Sequence, residues 1–129
     1  MHPFRAAIEA GDLPGALALL AEDVVFRSPV VFKPYRGRDA VAPILAGVAR
    51  VFEDFHYVRE IGAVGASDHA LVFEARVGNR YLEGCDFLHT ADDGLIDEFA
   101  VMVRPLSAAL ALAEAMKAQL AATEDGHPD

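Results

Sequence analysis

The order of hydrophobic periods along the chain predicts an α+β fold: helices first, then a meander of long antiparallel strands, then one closing helix. Three observations carry this expectation. Up to residue 52 apolar side chains recur mostly at helical spacing. From 54 to 104 they alternate with a period of two. Residues 106–121 form an alanine-rich run.

The elements follow in order. Phe4, Ala7 and Ile8 sit at helical spacing, and Gly11 ends that run. Asp12 can cap a second helix, with Pro14 tolerated in its first turn and Leu13, Leu17 and Leu20 on one face. Val24-Val25-Phe26 reads as a short strand ending at Ser28-Pro29. Pro29, Pro34 and Gly37 mark a loop. The strongest helical pattern starts at Asp39: Val41, Ile44, Leu45, Val48, Val51 and Phe52 share one stripe. In the next strand Phe55, Tyr57 and Ile61 alternate with His56, Val58 and Glu60. Residues 70–78 and 81–90 make a hairpin about a turn at Gly78-Asn79-Arg80. Asp92-Asp93-Gly94 turns into a strand from Leu95 to Arg104, and Pro105 stops it. Residues 1–122 are expected to form one domain, and the polar tail 123–129 to be disordered.

Composition narrows the function classes. The chain has 129 residues, 53% of them hydrophobic, enough for a true core. Its net charge of −9 and its scattered Arg and Lys argue against nucleic acid and anionic membranes as partners. No apolar run approaches membrane-spanning length, and the N-terminus lacks the pattern of a secretory signal. The single cysteine, Cys85, agrees with a reducing compartment, so a cytoplasmic location is expected.

The hairpin supplies the chemistry. Either turn at 78–80 gives an odd pairing sum. Leu71, Phe73, Ala75 and Val77 therefore share a face with Leu82, Gly84, Asp86 and Leu88. The register that sets Arg76 opposite Glu83 is preferred over the one that sets Glu74 opposite Glu83, where like charges meet. Either way Asp86 stands alone on an apolar face. Such a carboxyl must stay protonated or find donors, and can then act as acid, base or oxyanion donor. A structural Asp bonded within the protein is the competing reading. Gly84, two residues earlier, either bends the strand or leaves room for a ligand.

Several short runs together resemble a known family. They are Ala10-Gly11-Asp12-Leu13, Leu19 to Phe26, Tyr35 to Val41, Leu82 to Leu88 and Asp92 to Phe99. Their order resembles nuclear transport factor 2-like domains, and more narrowly the SnoaL-like branch, over roughly residues 3–121. The resemblance implies a cystatin-like roll: a curved antiparallel sheet wrapped around the helices as a cone, with an apolar pocket inside. It also implies a homodimer through the outer sheet face, where Val72, Cys85, Phe87 and Met102 fall. Compared with ketosteroid isomerases of this family, Asp86 matches their oxyanion-binding aspartic acid. Phe4 stands where they carry a tyrosine, and Ser28 where they carry the basic aspartate. Two of three roles are therefore missing, which argues against that isomerisation mechanism. In SnoaL-like cyclases a pocket acid serves as acid or base, a part open to Asp86.

The site expected from this reading has Asp86 as the catalytic group. Phe4, Leu17, Phe26, Ser28 and Phe55 are expected to contact the ligand. So are Tyr57, Phe73, Leu88, Phe99 and Val101, with Phe32 as a further candidate for the wall; Arg104 either points inward, to bind an acidic ligand or pair with Asp86, or outward as ordinary surface charge, the commoner case. His2, His56, His69, His89 and His127 show no metal-ligand spacing, so no metal and no cofactor are expected. Three functions compete: an enzyme acting through Asp86 on a small apolar carbonyl-like or epoxide substrate, a binding module without turnover, and an association domain with a collapsed cavity.

Overall fold

The computed structural model describes residues 1–125, with side chains through residue 121. Two short helices come first, α1 (Pro3–Glu9) and α2 (Leu13–Ala18). They are followed by β1 (Leu20–Arg27), β2 (Tyr35–Arg36) and α3 (Arg38–Val51), then four long strands. These are β3 (Glu53–Ile61), β4 (Asp68–Val77), β5 (Arg80–Thr90) and β6 (Ile96–Arg104), and α4 (Leu106–Asp125) closes the chain. The six strands form one curved, open sheet in the order β2-β1-β6-β5-β4-β3, with β1 parallel to β6 and the other pairs antiparallel. Among the described residues no helix is long and apolar enough to cross a membrane.

Local chemistry explains most of the boundaries. Asp12 caps α2 by accepting a hydrogen bond from the Gly15 amide at 2.9 Å, and Pro14 lies in the first turn. Leu20 belongs to β1, not to α2, because the chain turns at Leu19 and the Ile96 amide donates to the Leu19 carbonyl at 2.8 Å. β1 is accordingly longer than the three-residue run expected. α4 runs past the expected end at 121, and residues 126–129 of the expected tail lie outside the described residues.

The hairpin faces are as expected, but its register is not the preferred one. Leu71 pairs with Asp86, Phe73 with Gly84 and Glu74 with Glu83, so the turn is Gly78-Asn79. The like-charged pair is tolerated because each carboxylate has a partner on its outer strand. Glu74 meets His56 at 3.1 Å and Glu83 meets Arg104 at 3.6 Å. Arg76, freed from Glu83, binds Glu53 at 2.8 Å and Asp54 at 2.9 Å. A pairwise argument within one hairpin could not see these neighbours.

β3 departs from simple alternation. Its register against β4 slips twice, once between Glu53 and His56 and once between Tyr57 and Arg59. The second slip reverses the phase of the strand: Tyr57 faces the core, but Ile61 is exposed and Glu60 pairs with inward-facing Leu71. Ile61 therefore does not join the inner face.

The concave face of the sheet holds Leu71, Phe73, Ala75, Leu82, Leu88 and Phe99, all buried. α3 lays Val41 and Ile44 on it, and α4 lays Ala108, Leu112 and Met116. The convex face carries the half-buried Val72 and Cys85 and the exposed Phe87 and Met102.

Candidate functional site

Curvature of the sheet leaves a cavity of about 440 Å³ between its concave face, α1, α3 and α4. Asp86 enters from the middle of β5, its backbone fixed by Leu71 on one side and Val101 on the other. It is 6% exposed and is the buried charged side chain of an otherwise apolar core. Tyr57 Oη donates a hydrogen bond to Asp86 Oδ2 at 2.8 Å. The expectation that Asp86 stands alone is therefore corrected: Tyr57 reaches it from β3, two strands away. Among the described residues the second carboxyl oxygen, Oδ1, accepts no hydrogen bond, and Asp86 lies on the cavity wall.

Burial pushes the Asp86 carboxyl up to about 7, against the opposing effect of the Tyr57 hydrogen bond, which favours the ionised form. Burial and the neighbouring Asp86 likewise raise the Tyr57 phenol, so Tyr57 remains a donor throughout the physiological range. Arg5 lies over the Tyr57 ring at 5.8 Å from its centroid.

Of the expected ligand-contacting residues, Phe4, Phe26, Ser28, Phe55, Tyr57, Phe73, Phe99 and Val101 line the cavity. Leu17 and Leu88 do not: Leu88 is buried in the core and Leu17 packs against the core from α2, both off the cavity wall. Phe32 points into solvent, and Arg104 faces outward to Glu83. Ser28 is on the wall, but its Oγ accepts from the Val30 amide at 3.1 Å and holds the loop. Gly84 makes room for a side chain of the protein itself. A Cβ there would overlap the Phe73 ring, which lies across the glycine. Sequence reasoning missed the part of the wall supplied by α3 and α4, including Leu45, Val48, Ala113, Met116 and Lys117. Their 3.6-residue stripes were visible, but a stripe does not say whether it meets side chains or empty space.

Away from the cavity, His89, Asp97 and Glu98 place one possible metal-ligating atom each within 4.8 Å of one another. His89 Nδ1 and Asp97 Oδ1 are 2.6 Å apart, and Glu98 is also held by Arg27 at 3.3 Å. These strands' outward residues carry the group on the convex side of the sheet, so it takes no part in the cavity.

Residues 2–99 match the SnoaL-like domain family. The chain belongs to this family. A steroid delta-isomerase from Pseudomonas aeruginosa is similar to it at 45% identity, covering 93% of this chain and 88% of that one, with a TM-score of 0.88. A bacterial protein with a cystatin-like fold from Silicibacter pomeroyi is similar at 40% identity, covering 92% and 86%, with a TM-score of 0.84. A nuclear transport factor 2-like protein from Cytophaga hutchinsonii shares the fold at 18% identity and a TM-score of 0.60, covering 80% and 85%. No curated protein matches the chain. The SnoaL-like assignment and these two stronger likenesses agree with the roll expected from the sequence.

Proposed function

We propose that this SnoaL-like chain is an isomerase- or cyclase-type enzyme. Asp86, oriented by Tyr57, would transfer a proton on a small, mostly apolar carbonyl-containing molecule held in the cavity. The observation that carries this reading is Asp86 itself: a carboxyl on the wall of an apolar cavity, with one oxygen bonded by Tyr57 and the other without a hydrogen bond among the described residues. Such a group can take a proton from carbon next to a carbonyl, while its protonated form can donate to the carbonyl oxygen.

The wall also limits the reaction type. Asp86 is the one carboxylate among the described lining residues. A single acid–base group suits a reaction that returns the proton it removes, as isomerisations and many cyclisations do. It suits less well an epoxide hydrolysis that needs a separate acid and base. Identity of 45% with a protein named a steroid delta-isomerase supports the isomerase type. The base position that the family comparison assigns to Ser28 holds no carboxylate here, so in this chain the proton work falls to Asp86.

The lone carboxylate equally favours a second reading, a carrier that binds without turnover. Incubation of small apolar ketones with the protein in D₂O separates the two. Enzymatic proton transfer incorporates deuterium next to the carbonyl in wild type and not in Asp86→Asn. Thermal stabilisation by the same ketones without any exchange would leave the carrier reading standing and remove the enzyme.

We also propose a homodimer through the convex face, where Phe87 and Met102 are exposed beside Val72 and Cys85. Light scattering should give twice the 13.8 kDa chain mass for wild type. Met102→Lys should shift it toward the monomer; a monomeric wild type removes the proposal.

A further inference from the structure

Among the described residues the cavity wall carries two charges, Asp86 and Lys117, among side chains that are otherwise apolar apart from Ser28, Tyr35 and Tyr57. They differ in depth. Asp86 is buried, whereas Lys117 is exposed and so stands at the opening. On α4 the wall is made by Leu112 and by the stripe Ala113, Met116, Lys117 and Leu120, at i, i+3, i+4 and i+7. Lysine is the one charged member of that stripe. Glu114, one turn back, makes no ion pair with it, and among the described residues no hydrogen bond or ion pair holds the ammonium.

We infer that the cavity takes an amphipathic anion: an apolar body inside, a polar group at Asp86 and Tyr57, and an acidic group at the mouth against Lys117. This deepens the pocket reading above and rests on it. A lysine on a rim keeps its four-carbon stem against the apolar wall and its ammonium in water, so it extends the wall and ends it with a positive charge. In a chain of net charge −9, most of the surface repels anions. A free cation at the mouth reverses that locally and would select ligands by charge as well as by shape.

Two fluorescent probes of one shape test this. 8-Anilinonaphthalene-1-sulfonate carries a sulfonate, and N-phenyl-1-naphthylamine is its neutral counterpart; both brighten in apolar surroundings. Titration of wild type, Lys117→Gln and Lys117→Glu with each probe gives six affinities. Lys117→Gln should weaken the sulfonate probe about 3- to 10-fold, somewhat above an open surface pair because the cavity holds its partner in place. Lys117→Glu should weaken it more, the neutral probe should change less than about twofold, and 1 M NaCl should erase the differences. The probes should also displace one another. Neutral binding without any effect of Lys117 on the sulfonate probe would overturn the anion proposal and leave the pocket standing, as would sulfonate binding that the neutral probe does not displace. Failure of both probes to bind wild type would overturn the pocket reading itself.

Discussion

Replacing Asp86 by Asn should flatten a large part of the pH dependence of stability. Burial raises the carboxyl from 3.8 to about 7 in the folded chain. Between these values the folded state keeps its proton while the unfolded state has released it. The folded state therefore binds more protons, and stability falls as pH rises through this window. The contribution is fully present below about pH 4 and is lost by the time pH passes about 7. At about 1.4 kcal/mol per unit, the full span is on the order of 4 kcal/mol. Asn has nearly the same shape, can still accept from Tyr57 Oη and carries no titrating proton. Urea unfolding followed by circular dichroism at pH 4.5 and 8.5, at one protein concentration, gives the four free energies required. The wild type should lose about 2–4 kcal/mol relative to Asp86→Asn between these pH values, the variant becoming the more stable partner in alkali. Equal pH dependence in the two proteins would refute the reasoning. It would mean that the cavity solvates the carboxylate as well as bulk water does, and that Asp86 holds no proton to transfer near neutrality.

Other substitutions probe separate parts of the site. Tyr57→Phe removes the donor to Asp86, so the carboxyl should titrate still higher; carbon-detected NMR of Asp86 reads this, and an unmoved midpoint would deny Tyr57 its role. Gly84→Ala should destabilise by about 1–3 kcal/mol because the new methyl meets the Phe73 ring. Phe73→Leu should recover much of that loss, and a double-mutant cycle with no coupling would show that the ring does not lie there. Asp12→Ala should cost about 1 kcal/mol through the lost α2 cap, independent of ligand, as thermal melts can check.

The parts of the fold set by local periods were legible in the sequence. The α3 stripe, the period-two strands β4 and β5, the Asp12 cap and the parity that turns Asp86 inward all depend on near neighbours, and all are found; the alternation expected of β3 holds only as far as Tyr57. What failed depends on a third strand. Glu74, Glu83 and Arg76 alone favour the other hairpin register, but β3 and β6 supply His56 and Arg104 and reverse the preference. Gly84 was weighed as a bend or a ligand space, because a cross-strand Phe73 ring cannot be seen without the register. Leu17 and Leu88 were apolar at plausible positions, but only packing decides which apolar side chains face a cavity and which face each other.

The slip between Tyr57 and Arg59 decides how α1 is joined to the site. Without it Glu60 would lie on the convex side and Ile61 would face inward. With it, Glu60 accepts from the His2 amide at 3.0 Å and pairs with Arg5 at 3.5 Å, anchoring the first helix to β3. That anchor sets Arg5 over the Tyr57 ring, and Phe4 edge-on to Phe99 at 5.2 Å. Tyr57 in turn holds Asp86. One extra residue in β3 thus links a half-buried carboxylate, a cation, a phenol and the buried acid in series. A bulge of this kind costs ladder hydrogen bonds and is retained where it re-aims a side chain. Here it re-aims Glu60, which fixes α1 beside Tyr57, the donor that orients the buried Asp86.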